Sequence, residues 1–128
     1  MQDIYITSFD EKIGRTIILE SNTHSLWAYL LAPDSNEIEL DGFVCSLIEP
    51  PEFFEIPTDK TLPPPLIRQY SNNSSFIENL RTDQINIAWT NNEVMIFIDG
   101  NLYLVLNMEM KTSKSKSLSK NGPYGSPL

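Results

Sequence analysis

Two residues of this chain could take part in nucleophilic catalysis: the single histidine, His24, and the single cysteine, Cys45. A histidine that lies against a serine such as Ser25, or against the cysteine, could act as the base that activates it. Neither Ser25 nor Cys45, the two candidate nucleophiles, lies in the glycine pattern of a nucleophile elbow. We therefore interpret His24 as a polar turn residue and Cys45, within the apolar segment GFVCSLI, as a small buried hydrophobe.

The residue types that hold metals and phosphates are also scarce. One histidine and one cysteine cannot supply the ligand spacing of a zinc site. The segment DSNEIE, residues 34–39, begins like a calcium loop but lacks the glycine and the final glutamate of such a loop. The chain has five glycines and no phosphate-binding loop. We expect no metal, no cofactor, no catalytic residues and no enzymatic activity; a small enzyme that uses a pair of carboxylates is the least favoured alternative.

Acidic side chains are the most abundant charged groups of the chain. The sequence has 17 acidic and 9 basic residues, a formal net charge of −8. Residues 1–110 hold all 17 acidic residues and five basic ones, a net charge of −12. Such a body repels nucleic acid and anionic membranes and attracts a basic protein, although acidic surfaces also simply keep proteins soluble. If a basic partner binds, the first candidate contacts are the carboxylates Glu37, Glu39, Asp41, Glu49, Glu52 and Glu55.

The first half of the chain has the composition and alternation of β-strands. Branched and aromatic residues recur over residues 4–9, 15–20, 25–32 and 38–48, with polar breaks between them. Turn residues at both ends of SLWAYLLA favour a strand over a helix there. Gly42 lies inside the fourth run, where a glycine predicts a bulge or a bend.

A long proline-rich connection follows, over residues 49–66. It contains most of the prolines of the chain, and proline cannot donate a ladder hydrogen bond. We interpret it as a rigid connection rather than a strand or a ligand for an aromatic groove. Little helix is predicted anywhere, apart from a helical turn near Phe76 to Leu80.

The segment INIAWTNNEVMIFIDGNLYLVL, residues 85–106, predicts a three-stranded antiparallel meander. Asn-Asn and Asp-Gly are the residues of two-residue hairpin loops. Such loops pair Trp89 with Val94 and Ile87 with Ile96 in the first hairpin. In the second hairpin they pair Ile96 with Tyr103 and Val94 with Val105. Because all these pairs share one side of the sheet, the register is self-consistent.

The opposite side of this meander is nearly as apolar. It carries Ala88, Met95, Phe97, Leu102, Leu104 and Leu106. An exposed apolar patch of that size is uncommon on a monomer. We expect a helix, the proline-rich connection or a second subunit to cover it, which makes Met95, Phe97 and Leu104 candidate contacts of a homodimer.

The last residues, 111–128, are rich in Lys, Ser, Gly and Pro, which predicts a disordered tail. The remaining residues, 1–110, are expected to form one β-rich domain. Its fold class is mainly β: an antiparallel sandwich or partly open barrel of about seven strands that ends in the meander.

Four features together resemble a group of small uncharacterised bacterial proteins. They are THSLWAYLLAP, a D-x-F-V strand, a PPP segment and the run AWTNNEVMIFIDGNLYLVL. The resemblance spans most of residues 3–107. It implies a β-rich fold and carries no activity and no site residues.

The function most consistent with these features is a non-catalytic protein-binding module, in its most specific form an acidic inhibitor or immunity protein that masks a basic partner. The alternative is a structural protein that assembles through the second face of the meander. No apolar run is long enough for a membrane-spanning helix, and the acidic start MQDIYITSFDEK lacks the features of a secretory signal. We therefore expect a cytoplasmic protein that binds neither nucleic acid nor membrane.

Overall fold

A computed structural model describes residues 3–53 and 63–128, and these residues form nine strands in two sheets. Sheet A is antiparallel and contains, in spatial order, β1 (Tyr5–Asp10), β2 (Arg15–Ser21), β3 (Ser25–Leu31) and β4 (Ile38–Ser46). Sheet B contains, in spatial order, β5 (Ile85–Trp89), β6 (Glu93–Ile98), β7 (Asn101–Asn107), β8 (Thr112–Ser115) and β9 (Ser126–Pro127). Only β9 runs parallel to its neighbour. The predicted mainly β class is confirmed, and within these ranges neither sheet closes into a barrel.

One apolar core lies between the two sheets because each strand presents every second side chain to it. In β2, for example, Ile17 and Leu19 are buried, whereas Thr16 and Ile18, which alternate with them along the strand, are only partly buried. Side chains from sheet B, among them Val94 and Ile96, complete the same cluster. The rest of this cluster comes from β3, from β4 and from two residues outside the strands, Ile4 and Leu80.

Gly42 marks a close approach between the sheets and not a bulge or bend. It pairs with Ala28 in regular register, and the two irregularities of β4 lie on either side of it, at Glu39 and Val44. A Cβ atom on Gly42 would lie 2.8 Å from side-chain carbons of Leu104 and Leu106. Glycine is therefore required here so that the leucines of β7 can pack against the backbone of β4.

The first predicted hairpin is confirmed in its register. Strand β5 pairs with β6 through Ile85 with Ile98, Ile87 with Ile96 and Trp89 with Val94. The Asp99-Gly100 turn of the second hairpin has positive φ at both residues, as a two-residue loop of this kind requires, whereas neither Asn91 nor Asn92 in the turn of the first hairpin has a positive φ.

The second predicted register is wrong from the third residue of β7 onward. Leu102 pairs with Phe97 as expected, but Ile96 pairs with Leu104 and Val94 with Leu106, so Tyr103 is an additional residue in β7. This irregularity reverses the faces of the later residues. Leu104 and Leu106 become fully buried in the core, and each such leucine contributes about 1.5–3 kcal/mol when it leaves water.

The predicted disordered tail is also wrong, and with it the domain boundary at residue 110. Residues 111–128 contain β8 and β9, and Leu118 and Tyr124 are buried. Serine hydroxyls also hold this segment against the rest of the domain. Ser117 Oγ donates to Val44 O at 2.7 Å, and Ser75 Oγ donates to Ser117 O at 2.5 Å. The pairing of β8 with β7, two buried apolar side chains and a few buried hydroxyls therefore order a segment of polar composition. The additional strands explain why the predicted count of seven is too low.

Part of the outer face of sheet A is covered by residues from the proline-rich connection and from the C-terminal segment. Leu66, Leu118 and Tyr124 pack against Trp27 and Phe43 in a second apolar cluster. The ring of Phe43 lies edge-on to both Trp27 and Tyr124, at centroid distances of 5.3 and 5.8 Å. The middle of the predicted connection, residues 54–62, lies outside the described residues.

Helical structure in the described residues consists of two short 3-10 helices, Arg68–Tyr70 and Thr82–Gln84. The helical turn predicted near Phe76 is wrong, because Phe76 forms a parallel bridge with Ser46 instead. Within residues 3–53 and 63–128, no helix has both the length and the apolar character to cross a membrane.

Candidate functional site

The carboxylates predicted to bind a basic partner do not form one group in the structure. Glu37 and Asp41 are exposed at the start of β4. Glu49 and Glu52 are exposed beyond the other end of β4, and Glu49 lines a shallow hollow with Arg68 and Phe76. Glu55 lies outside the described residues.

Glu39 has a structural role rather than an exposed one. Its Oε2 accepts a hydrogen bond from Arg15 Nη2 at 2.5 Å, and the ammonium group of Lys111 forms a second ion pair with its other carboxylate oxygen. The Arg15 side chain is largely buried and also donates from Nε to Leu31 O at 2.9 Å. Burial disfavours the guanidinium charge and therefore lowers the pKa of Arg15. The adjacent carboxylate of Glu39 offsets this cost.

The open face is the part of the outer side of sheet A that Leu66, Leu118 and Tyr124 leave uncovered. The register places three rows of side chains across it, because residues directly opposite each other project to the same side. Thr7 of β1 lies opposite Ile18, which lies opposite Tyr29 and then Asp41. The open face comprises Tyr5, Thr7, Phe9, Thr16, Ile18, Tyr29 and Ile38.

Three large apolar side chains of the open face are mostly in contact with water. Tyr5 is 63% exposed, Phe9 is 61% exposed and Ile38 is 57% exposed. Tyr5 and Phe9 project from the same side of β1 with Thr7 between them. An exposed set of large apolar residues on a regular sheet is typical of a contact surface for another macromolecule.

Carboxylates border the open face. Glu20 lies opposite Tyr5, and Asp41 lies opposite Tyr29. Glu37 precedes Ile38 and is exposed. Burial, and then the charges of Glu20 and Asp41, raise the pKa of Tyr29, which shows that both carboxylates act on the same part of the sheet. Within the described residues, none of these three carboxylates forms an ion pair.

The β1 edge borders the open face on one side. Strand β1 pairs with β2 and with no other strand in the part of the chain that the structure describes. Its pairing with β2 runs from Tyr5 to Asp10 without a bulge. A strand in this position presents unpaired backbone groups to the solvent.

A hollow of about 580 Å³ opens where β1 ends, and we call it the Phe9–Trp89 hollow. Its wall combines two aromatic side chains, Phe9 and Trp89, with two carboxylates, Asp10 and Glu11. Lys12, Ile13, Thr90 and Asn91 complete it. The indole Nε1 of Trp89 donates to Ser8 Oγ at 3.2 Å, so the ring is held in place beside β1.

The residues considered for nucleophilic chemistry lie in structural positions. Cys45 is fully buried in the core, and burial raises the pKa of its thiol. His24 lies in the connection between β2 and β3, where its backbone N–H donates to Asn22 Oδ1 at 2.7 Å. In the described parts of the chain, no three His, Cys, Asp or Glu side chains lie close enough together to hold a metal ion.

Because of the irregularity at Tyr103, the second face of the meander contains other residues of β7 than predicted. Met95 and Phe97 lie on the outer side of sheet B and are partly buried, whereas Leu104 points into the core. Val105, which pairs with Met95, takes the place of Leu104 on the outer side. This second face therefore consists of Ala88, Met95, Phe97, Leu102 and Val105.

The sequence contained a signal for the open face that the pattern alone could not resolve. In YITSFD, aromatic residues alternate with Thr on one side, and Ile and Ser occupy the other side. Both sides therefore resemble a core-facing surface, and only the packing of the two sheets shows that Tyr5 and Phe9 face outward.

Comparison of the chain with protein-family models, with curated proteins and with solved structures gives no match.

Proposed function

We propose that this chain is a non-catalytic protein-binding module whose open face masks a basic and partly apolar surface of another protein. The observation that carries the proposal is the presence of exposed Tyr5, Phe9 and Ile38 on the same face as the carboxylates of Glu20 and Asp41. In its most specific form, the module is an inhibitor or immunity protein for a basic enzyme.

The apolar residues of the open face supply affinity in this proposal. Aromatic side chains bury a large area on binding and lose little conformational entropy, and for this reason they dominate the energy of many interfaces. Tyr5 is 63% exposed and Phe9 is 61% exposed before binding, so a partner can bury the larger part of both side chains.

The carboxylates supply selectivity and a fast encounter. The open face is bordered by Glu20 and Asp41, and the whole chain carries a formal net charge of −8. Complementary charge raises the association rate and makes it fall with added salt. Glu39 is not part of this surface because Arg15 and Lys111 already neutralise it.

A comparative affinity capture with the full-length chain tests the proposal. Three baits are compared: the native chain, an open-face variant (Tyr5→Ser/Phe9→Ser) and a Phe53→Ser variant. The proteins that each bait retains are identified by mass. Phe53 is 75% exposed and lies after β4, so its variant is a matched control for the loss of an exposed ring. We expect a basic protein that the native and Phe53→Ser baits retain and the open-face variant does not. A partner that all three baits retain equally would contradict the proposed surface.

Self-association through the second face is the other candidate, and it rests on the adjacent apolar pair Met95 and Val105. Under this alternative, Phe97→Glu gives a monomer where the native chain is a dimer, because a buried carboxylate at the interface has no partner. Sedimentation of both proteins at several concentrations measures this. A native chain that remains monomeric at all concentrations excludes the second candidate.

A further inference from the structure

We propose that the partner adds an extended segment to the β1 edge as a fifth strand of sheet A, with a lysine or arginine of that segment in the Phe9–Trp89 hollow. This inference rests on the proposed function, because it states how the open face takes its protein partner. It follows from the backbone pairing of β1, the lack of protection along its edge, and the charge around it.

The hydrogen-bonding pattern shows which groups of β1 are available. Ser21 N donates to Ile4 O at 2.9 Å, so this pair belongs to the hydrogen-bonded class of the antiparallel ladder. Since hydrogen-bonded and non-hydrogen-bonded pairs alternate, Ile6 and Ser8 bond to β2 through their backbone. The backbone N–H and C=O groups of the remaining residues, Tyr5, Thr7 and Phe9, therefore point away from β2 and toward the β1 edge.

The residues with available backbone groups are the same residues that face outward. Tyr5, Thr7 and Phe9 are exposed, whereas Ile6 and Ser8 are partly buried. An added strand would therefore place alternate side chains beside the two exposed rings and the other side chains beside Ile6 and Ser8. Main-chain pairing gives such a complex its affinity, and alternate side-chain positions give it selectivity.

The β1 edge lacks the features that normally prevent strand addition. The sequence YITSFD contains no lysine and no proline, and its pairing has no bulge. By contrast, β4 at the other edge of sheet A has two irregularities, and β9 at the edge of sheet B contains Pro127. Strand β5, at the remaining edge, is shorter and directs only Asn86 and Ala88 outward.

Charge selects a basic segment and disfavours a second copy of this chain. Asp3, Asp10 and Glu11 lie at the two ends of β1, and Glu20 lies opposite Tyr5. If two copies paired antiparallel through β1, Asp3 of one copy would lie near Asp10 and Glu11 of the other, and like charges at close range are destabilising. A segment with alternating basic and apolar residues has the opposite charge and the required period of two.

The Phe9–Trp89 hollow provides a position for one basic side chain at the end of the added strand. An ammonium or guanidinium group there would lie near two aromatic rings and the carboxylates of Asp10 and Glu11. Lys12 also borders the hollow, so the local net charge remains negative with one cation against two carboxylates.

A peptide of six alternating lysine and valine residues, equal in length to β1, tests this inference with the full-length chain. We expect binding, together with slowed hydrogen exchange of the Tyr5, Thr7 and Phe9 amides and unchanged exchange of Ile6 and Ser8. Two matched peptides carry N-methyl groups on the lysine amides or on the valine amides. Only one set of amides faces β1, so one of these peptides should lose about tenfold or more in affinity and the other should bind like the parent. Equal binding by both, or no binding by the parent peptide, overturns the inference.

Variants of Thr7 test the same point from the side of the protein. Thr7→Pro removes a backbone N–H that points away from β2 and blocks the edge, whereas Thr7→Val keeps that N–H. We expect Thr7→Pro to lose the peptide and Thr7→Val to retain it, with both folded by circular dichroism. If Thr7→Pro does not fold, the N-methylated peptides decide the question alone.

The outcomes separate this inference from the proposed function. If the open-face variant loses its captured partner while both N-methylated peptides bind equally, the protein-binding function stands and strand addition fails. If the partner is retained by the open-face variant and the parent peptide does not bind, both fail. If the Tyr5, Thr7 and Phe9 amides become protected on raising the protein concentration without peptide, the occupant is a second copy, and the basic-segment assignment is overturned.

Discussion

The indole Nε1 of Trp89 donates a hydrogen bond to Ser8 Oγ over 3.2 Å and so links the edge strand of sheet B to the edge strand of sheet A. These two strands do not pair with each other, although both border the same core. On the opposite side of the core, Ser117 Oγ and Val44 O form a comparable link. The Trp89–Ser8 bond therefore positions the β1 edge relative to sheet B together with the packing of Ile4 and Ile6 in the shared core.

A double-mutant cycle measures the contribution of this bond. Trp89→Phe and Ser8→Ala each remove one partner, and we expect each to lower the free energy of unfolding by about 0.5–1.5 kcal/mol. Because the second substitution then has no bond left to remove, the double variant should cost less than the two single variants together. Urea unfolding of the four proteins gives the coupling. Simple additivity would show that the two groups do not interact in solution.

Gly42→Ala should destabilise the protein by about 1–3 kcal/mol, because the added methyl group meets Leu104 and Leu106 at 2.8 Å. The matched experiment repeats the substitution in a Leu104→Ala background, where the loss of the isopropyl group removes two of the three close contacts. We expect the cost of Gly42→Ala to decrease or change sign there. An equal cost in both backgrounds would mean that the contact with Leu104 does not cause the effect.

Substitutions of Tyr124 test whether the C-terminal segment belongs to the folded domain. Its hydroxyl donates to Pro65 O at 2.8 Å, and its ring packs on Phe43 and Tyr70. The hydroxyl also accepts a hydrogen bond from Ile67 N at 3.3 Å. Tyr124→Phe should therefore cost about 0.5–1.5 kcal/mol for each of the two lost hydrogen bonds. Tyr124→Ala should cost about 3–5 kcal/mol, because it also removes the ring. Thermal or chemical unfolding distinguishes the two values, and a neutral Tyr124→Ala would show that the segment is not packed.

Stability should fall as the pH rises from about 8.5, the ordinary pKa of a cysteine thiol. Burial raises the pKa of Cys45, so the folded state keeps the thiol proton where the unfolded state releases it. The unfolded state then binds fewer protons, and the free energy of unfolding decreases by at most about 1.4 kcal/mol per pH unit. Cys45→Ala should flatten this dependence between about pH 8.5 and 10, whatever its effect on stability at neutral pH. If the free energy of unfolding had the same pH dependence in both proteins, the raised pKa of Cys45 would be contradicted. Above about pH 10, Tyr29, Tyr103 and Tyr124 add to the loss in both proteins, because their pKa values are also raised.

The strands of this protein could be predicted from sequence wherever local signals act alone. Alternation and branched residues located β1 to β4, and the hairpin of β5 and β6 follows from one two-residue loop between matched apolar runs. Cys45 is buried as its apolar neighbours predict. In each case the deciding interactions lie within a few residues of one another along the chain.

The tertiary structure decided what depends on contacts between distant segments. The additional residue at Tyr103 exists because Leu104 and Leu106 fit against Gly42, more than sixty residues earlier in the chain. Leu118 and Tyr124 pack on the outer face of sheet A, and this contact orders the C-terminal segment. That same coverage leaves Tyr5, Phe9 and Ile38 exposed. The sequence by itself located strands β1 to β7 and determined the acidic character of the chain. Only packing between the sheets and the two covering segments determined the order of the C-terminal segment and which face remains open to a partner.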